Sequence, residues 1–219
     1  TIGGLIVDGG NFDWGKAGAD RQPAMNTPDP CYGGVVWEEQ VTKNMGLPFA
    51  YLLKLRTTLL RDLGGAMSPF NAWMFIQGLE TLPLRMREHA KNAKEVAEFL
   101  ASNKKVQSVT YPSLFEGSEK EKADKYMSGG YGALIGFELP GGKEAGSKFI
   151  DSLELLYHVA NIGDSRSLAI HPATTTHSQL SPEEQLSAGV TPGYVRLSIG
   201  IENTEDIIAD ISQAIDKAS

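Results

Sequence analysis

Residues 194–211, YVRLSIGIENTEDIIADI, hold the pattern that decides the fold class of this chain. A strictly alternating strand comes first, with apolar side chains on one face and polar side chains on the other. The apolar face holds Val195, Leu197 and Ile199, and the polar face holds Tyr194, Arg196 and Ser198. Asn203 is then placed to cap a helix over residues 204–218. A strand that leads into such a helix predicts a half-apolar sheet covered by helices.

The same succession of strand-like and helix-like patterns extends from this stretch back to residue 106. Short alternating segments typical of strands are separated by segments with helical spacing. Strands are predicted at 106–112, 131–139, 157–160, 167–172 and 194–200, and helices at 117–127 and 142–155. Ser181 and Glu184 have the spacing of a capping box, which marks another helix start. The order predicts an α+β arrangement, with the sheet on one side and helices on the other.

The N-terminal third has a different pattern. A short apolar run bounded by glycines predicts a buried strand at residues 3–7. Residues 11–36 are rich in Gly, Pro and Asn, and we expect a long polar loop there, of the kind that serves a site or an interface. Apolar residues at helical spacing predict a helix over residues 46–63.

A proline divides the next helical segment. Ser68 followed by Pro69 is typical of a helix start, with the serine as N-cap and the proline at the first helical position. Helical spacing then continues until Pro83, which lacks a backbone donor and is expected to kink or break the helix. We therefore expect a domain boundary here, with domains 1–82 and 83–219.

Composition excludes several classes of function. The chain has 219 residues, 41% of them hydrophobic, which is enough for a sizeable core. Its net charge of −7 and the lack of a basic block argue against nucleic-acid binding. No apolar run reaches the roughly 18 residues of a membrane span. A single cysteine, Cys31, excludes an internal disulfide framework, and we expect a cytoplasmic protein.

Arg196 is the residue that most directly indicates a binding site. An arginine on one face of a buried-looking strand has two interpretations. It can lie on a solvated sheet face, or it can line a cleft and bind a carboxylate through two parallel hydrogen bonds. The residues by themselves leave both interpretations open.

Residues 161–180, NIGDSRSLAIHPATTTHSQL, form an unusually polar stretch. Its two histidines lack the spacing of a zinc site, so we expect no metal. His171, just before Pro172, is expected to end a strand and to bond a backbone carbonyl. The hydroxyls of Thr174–Thr176 are expected to cap turns or to bind an anion.

Four segments together resemble the C-terminal half of the Cys/Met-metabolism enzymes that depend on pyridoxal 5′-phosphate (PLP). They are RDLGGAMSPFNAWMFIQGLETLPLRMREHAKNA (61–93), YPSL (111–114), NIGDSRSLAIHPATTTHSQLSPEEQ (161–185) and VRLSIGIENTEDIIADI (195–211). The likeness runs in order through nearly the whole chain. Within the family, the opening TIGGLIVDGGNFDW and the block after Ala160 are most similar to the sulfhydrylase branch.

The resemblance implies the C-terminal half of PLP fold type I, the aspartate aminotransferase-like architecture. That is an α/β fold: a mostly antiparallel small-domain sheet with helices on one side, plus the last strand and helices of the large domain. It also implies PLP as cofactor and γ-replacement on O-acetyl-L-homoserine with sulfide, giving L-homocysteine and acetate. The family's partners would be the N-terminal half of the same enzyme and further copies in a homotetramer.

The resemblance also assigns roles to single residues. Arg196 matches the family arginine that binds the substrate α-carboxylate, and Asn161 matches a residue that helps to hold it. Thr176 matches a hydroxyl that supports the loop from behind. The lysine that binds PLP is expected just upstream of Thr1, so no catalytic residue is predicted within this chain, and its cofactor contacts are unassigned.

Other activities remain open at this level. Methionine γ-lyase and cystathionine γ-synthase belong to the same family and share these motifs. A different class is also possible, in which the chain by itself is a non-catalytic fragment or a subunit-like module.

Overall fold

The computed structural model describes all residues, 1–219, and they form two compact units, Thr1–Gly78 and Leu79–Ser219. Each unit is described separately below. The division lies four residues before the boundary that Pro83 indicates, and the assignment of domains 1–82 and 83–219 stays a prediction. Among the helices of the structure, none combines the length and the apolar character that crossing a bilayer requires.

The first unit is mainly helical. Its helices are α1 (Trp14–Arg21), α2 (Pro23–Asn26), α3 (Ala50–Lys54), α4 (Arg61–Leu63) and α5 (Pro69–Glu80), with π-helical turns at Glu38–Asn44 and Leu55–Leu60 and a 3-10 turn at Pro30–Tyr32. Its small core consists of Met25, Trp37, Val41 and Ala50. The predicted start of α5 is confirmed, because the Ser68 hydroxyl accepts a hydrogen bond from the backbone N–H of Asn71 at 3.1 Å.

Asp29 holds this small core together. Its carboxylate accepts hydrogen bonds from Trp37 Nε1 at 2.8 Å and from Lys54 Nζ at 2.5 Å, and also from the backbone N–H of Cys31 at 3.0 Å. The hydrogen bond from Lys54, aided by that from Trp37, lowers the pKa of Asp29 to about 2. A carboxylate near the end of the stretch predicted as loop therefore joins that stretch to Trp37 and Lys54.

Two predictions for the first unit are wrong. Residues 11–36 are not an unstructured loop, since α1 and α2 lie within them. Residues 3–7 form no strand, and Leu5 and Val7 remain 86% and 81% exposed. A strand needs a neighbour for its backbone hydrogen bonds, and this unit offers none. The predicted helix at 46–63 begins only at Ala50.

The second unit contains a five-stranded sheet. Its strands are β1 (Ser108–Thr110), β2 (Leu134–Glu138), β3 (Tyr157–His158), β4 (Leu168–Ile170) and β5 (Tyr194–Ser198), in the order β1-β2-β5-β4-β3. All neighbours are antiparallel except β3 and β4, which are parallel. The predicted mixed fold with a mostly antiparallel sheet is confirmed.

Helices cover one face of that sheet. The helices of this unit are α6 (Leu82–Ser102), α7 (Gly117–Tyr126), α8 (Gly142–Asp151), α9 (Pro182–Ser187) and α10 (Thr204–Ala218). The strand residues Ile135, Phe137, Val195 and Leu197, together with Ile199 just after β5, form one core with apolar residues of α6, α8 and α10. The predicted caps are present, with the capping box at Ser181 and the Asn203 side chain accepting from Glu205 N. Pro83 lies in the first turn of α6, so it begins a new helix after a break at Thr81.

Asp210 on α10 anchors the segment that enters β3. Its carboxylate accepts hydrogen bonds from the backbone N–H groups of Glu154, Leu155 and Leu156 at 2.8–3.0 Å. Burial alone raises the pKa of this carboxyl, but the three amide donors outweigh burial and the net pKa lies below its usual range. The loop that follows β3 therefore starts from a fixed point.

Candidate functional site

Arg196 lies in β5, on the face that points away from the covering helices. Its backbone pairs with Gly136 of β2 on one side and with Ile170 of β4 on the other. The Tyr194 ring lies over Gly136, where a Cβ atom would come within 2.1 Å of the tyrosine hydroxyl. The lack of a side chain at Gly136 thus leaves room for Tyr194 beside Arg196.

The guanidinium of Arg196 is held by one bond and has an unused donor. Its Nη2 donates to the backbone carbonyl of Asn161 at 3.2 Å. Its Nε atom is buried and has no hydrogen-bond partner. A buried N–H without a partner is costly, and a planar carboxylate is the group that best satisfies an arginine fork. The arrangement fits an anion that binds edge-on to Arg196.

The loop at residues 161–167 carries Asn161 and is tied to β5. The Ser198 hydroxyl accepts from the backbone N–H of Gly163 at 3.3 Å. Beyond the strand, the backbone N–H of Ile201 donates to the carbonyl of Ser165 at 2.9 Å. Because Ser198 follows Arg196 by two residues on the same face, one strand supplies both the guanidinium and a contact that holds the loop beside it.

The outer part of this loop is ordered by its own side chains. Asp164 accepts from the backbone N–H of Arg166 at 2.9 Å, and that hydrogen bond lowers the pKa of the Asp164 carboxyl. The Arg166 guanidinium lies over the Tyr157 ring, 4.8 Å from its centroid. These contacts give the exposed end of the loop a defined shape.

The three residues predicted for the substrate site are not all brought together. Arg196 and Asn161 are in contact, across 35 positions of sequence. Thr176 is exposed, and its hydroxyl lies 2.9 Å from Nδ1 of His177. Its supporting role stays a prediction.

His171 behaves as its sequence context predicts. It follows β4, is fully buried, and places Nε2 2.7 Å from the carbonyl of Pro192. Since a carbonyl only accepts, Nε2 carries the hydrogen, and Nδ1 lies 2.9 Å from the Thr174 hydroxyl. Burial lowers the pKa of His171, which favours the neutral ring.

Sequence reasoning missed Ser198, Ser167 and Glu202 as members of this site. Ser198 could have been predicted from the sequence, because period-two alternation places it on the same face of the strand as Arg196. Glu202 and Ser167 carry no such signal, since their contact joins positions 35 residues apart in two irregular segments.

Known proteins are similar to this chain in sequence and in fold. The profile of the Cys/Met metabolism PLP-dependent enzyme family matches residues 1–216. The chain is 51% identical over 219 residues to an O-acetyl-L-homoserine sulfhydrylase of Leptospira meyeri, with 98% of this chain and 49% of that protein covered. It is 45% identical over 218 residues to a homocysteine synthase of Schizosaccharomyces pombe, with 100% of this chain and 49% of that protein covered.

A solved structure agrees with these relatives. A Campylobacter jejuni protein assigned as an O-acetylhomoserine (thiol)-lyase superposes with a TM-score of 0.78 at 43% identity, over 90% of this chain and 45% of that one. Its lysine carries a pyridoxyl phosphate group. The chain thus spans about half the length of the relatives that it matches. Nearly every residue lies within the family profile, so the chain belongs to the Cys/Met metabolism PLP-dependent enzyme family.

Proposed function

We propose that this chain supplies the substrate-carboxylate site of an enzyme that replaces the γ-substituent of O-acetyl-L-homoserine with sulfide. The products are L-homocysteine and acetate. The names of the relatives support this reaction, since they include O-acetyl-L-homoserine sulfhydrylase and homocysteine synthase. The observation that carries the proposal is the buried, unpartnered Nε of Arg196 beside its bond to Asn161.

The donor set of this site fits the amino acid on which PLP acts. Pyridoxal phosphate, when bound, supplies an electron sink for the bonds at the substrate α-carbon. Arg196 binds the α-carboxylate, with Nε and one terminal nitrogen as a fork. Asn161 orients the guanidinium through its carbonyl, and the family resemblance assigns its side chain a part in holding the same carboxylate. A carboxylate held at two points fixes the rotation of the substrate about its α-carbon.

The wider assignment follows the same resemblance. Thr176 would support the site loop from behind. Residues 1–82 would end the large PLP-binding domain, and residues 83–219 would form the C-terminal small domain. The complementary N-terminal half would bind the cofactor, in a homotetramer in the cytoplasm. No residue of this chain is assigned to the cofactor ring or its phosphate.

Replacing Arg196 by alanine tests the proposal. In the complete enzyme that contains this chain, Arg196→Ala is expected to raise KM for O-acetyl-L-homoserine about 10- to 150-fold, since charge-assisted hydrogen bonds contribute roughly 1.5–3 kcal/mol. Steady-state kinetics with saturating sulfide measure the change. Lys105→Ala is a matched control, because Lys105 is a surface cation that pairs with Asp216.

An unchanged KM in Arg196→Ala would remove the assigned role. The reaction itself is tested by offering sulfide and cysteine as acceptors, and methionine as an alternative substrate, to the wild-type enzyme. Homocysteine formed from O-acetyl-L-homoserine and sulfide supports the proposal. Turnover of methionine alone, or of cysteine alone, would contradict it in favour of a lyase or a cystathionine synthase.

A further inference from the structure

The loop that carries Asn161 is fixed at its far end by a carboxylate outside the strand. Glu202 Oε1 accepts from the backbone N–H of Ser167 at 2.6 Å, and Glu202 Oε2 accepts from the Ser167 hydroxyl at 2.9 Å. The same hydroxyl accepts from the backbone N–H of Gly200 at 2.8 Å. Ser167 is fully buried and Glu202 is half-buried, so the bond from Gly200 is buried and the two bonds to Glu202 are partly buried. Together they join the end of the loop to the turn that follows β5.

That turn is itself anchored on helix α6. The Asn92 side chain donates to the carbonyl of Glu202 at 2.8 Å and to the carbonyl of Gly200 at 3.2 Å. It accepts from the Thr204 hydroxyl at 2.6 Å. Asn92 is fully buried, so the backbone at Glu202 is held from the helix side while its carboxylate holds the loop.

The packing at Gly200 shows how closely the loop and the turn approach. A Cβ atom there would lie 2.3 Å from Glu202 Oε2, 2.4 Å from the carbonyl oxygen of Ser165 and 2.5 Å from the backbone nitrogen of Ser167. Two of these three atoms are backbone atoms, which have little freedom to shift. The loop therefore packs directly against the backbone of Gly200, and a side chain at position 200 would push the two apart.

These contacts connect Glu202 to the guanidinium through the loop. Arg196 bonds to the first residue of the loop and Glu202 bonds to its last, at Asn161 and Ser167. Losing the Glu202 contact leaves the buried N–H of Ser167 without an acceptor and frees that end of the loop. The carbonyl of Asn161 would then no longer orient Arg196 for a carboxylate.

We propose that Glu202 is a positioning residue, which acts through Ser167 to hold the loop at residues 161–167 where it presents Arg196 to the substrate α-carboxylate. The proposal rests on the proposed function insofar as Arg196 binds that carboxylate. It adds that recognition of the carboxylate depends on a side chain that does not touch the substrate.

Glu202→Gln in the complete holoenzyme tests this role, because it keeps the shape of the side chain but replaces one of its two acceptor oxygens with an NH2 donor. One of the two Ser167 hydrogen bonds to residue 202 is then lost. KM for O-acetyl-L-homoserine is expected to rise on the order of 10-fold, while kcat and KM for sulfide stay within about 2-fold. Glu183→Gln, an exposed glutamate on α9, is the matched control. Equal rises in both KM values, or a fall in kcat with KM unchanged, would show a general structural effect and overturn the proposal.

Ser167→Ala provides a second, independent variant. It removes the hydroxyl that bridges Gly200 and Glu202, and is expected to show the same selective rise in KM. In the double variant, KM for O-acetyl-L-homoserine should be no higher than in the more affected single variant, since the two side chains act as one unit. Additive effects would contradict the coupling, and Ser167→Ala decides the matter if Glu202→Gln does not fold.

Binding of an unreactive ligand separates this proposal from the proposed function. Wild-type holoenzyme is expected to bind L-norleucine more tightly than L-norleucinamide, and Glu202→Gln should lose most of that preference in calorimetric titrations. A wild-type preference retained in Glu202→Gln would overturn the positioning role alone. An enzyme that makes no homocysteine yet shows the predicted loss would overturn the reaction and leave the role of Glu202 standing.

Discussion

Arg196 illustrates how much one residue in a strand can reveal. Its neighbours Val195 and Leu197 are fully buried in the core, so alternation alone places it on the other face. What lies over that face cannot be read from alternation, and the structure places the loop at residues 161–167 there, with the Asn161 carbonyl bound to Arg196. The same logic explains His171, where a polar residue at a strand end is fully buried because two hydrogen bonds satisfy it.

His171 makes the stability of the chain depend on pH. Burial lowers its folded pKa below 6.5, so the unfolded chain binds a proton more readily below that pH. The contribution of the neutral ring is fully present above pH 6.5, and it is lost as the pH falls toward the folded pKa. Urea unfolding between pH 7.5 and 5 should show this loss in the wild type and a smaller one in His171→Gln.

Wild type and His171→Gln are compared at the same pH. Contributions of the other histidines to the free energy of unfolding are common to both proteins and cancel in the difference. His177→Gln is a suitable control, because it removes a histidine whose ring is only half-buried and lies beside the Thr176 hydroxyl. Equal pH dependence in wild type and His171→Gln would contradict the prediction.

Among elements, helix α10 has two functions in the second unit. Its apolar side packs on the sheet through Ile207, Ile211 and Ile215, which are fully buried. Its one buried carboxylate, Asp210, is directed at the segment before β3. The helix thus stabilises the core and also sets the starting point of the loop that carries Asn161.

Asp210→Asn should weaken that anchor. An amide is a poorer acceptor than a carboxylate for three backbone donors, and we expect a loss of about 2 kcal/mol or more in the free energy of unfolding at pH 7. The folded pKa of Asp210 is depressed, so its contribution is present above about pH 4 and is lost as the pH falls through the folded value. The difference between wild type and variant should therefore shrink in acid.

Chemical denaturation at pH 7 and pH 3 measures both effects. Asp216→Asn is the control, since Asp216 is exposed on the same helix and pairs only with the surface residue Lys105. A variant as stable as wild type at pH 7 would show that the anchor contributes nothing to folding.

At the scale of the whole molecule, the first unit exposes several large apolar side chains. Ile2, Leu5 and Val7 are 87%, 86% and 81% exposed, and α5 exposes Phe70 and Trp73 at 65% and 55%. The two segments are adjacent, because the Asn71 side chain donates to the carbonyl of Ile2 at 2.9 Å. A contiguous apolar patch of this kind marks an interaction surface.

We expect the isolated 219-residue chain to associate in a concentration-dependent way. Phe70→Ser combined with Trp73→Ser should shift it toward the monomer in sedimentation velocity, because both side chains lie on the exposed apolar surface. Tyr126→Ser, at a 75% exposed position on α7, is the control and should leave association unchanged. A wild-type chain that is monomeric at every concentration would contradict the prediction.

The sequence by itself determined most of the second unit and the face on which Arg196 lies. Alternation in β2 and β5, the capping box at Ser181 and the cap at Asn203 are local signals, readable within a few residues. Only the tertiary structure decided which side chains meet. The contacts of Arg196 with Asn161 and of Glu202 with Ser167 join positions 35 residues apart.

The same reason explains the two failures in the first unit. Residues 3–7 have the composition of a strand, but strand formation depends on a neighbouring backbone, which lies outside any local pattern. Residues 11–36 have the composition of a loop, yet two short helices form there, and the Asn26 side chain joins them by donating to the carbonyls of Trp14 and Gln22 at 3.0 and 3.1 Å. Local propensity can predict a helix, whose backbone hydrogen bonds lie within the element. A strand bonds to a neighbouring segment, so tertiary contacts determine whether it forms.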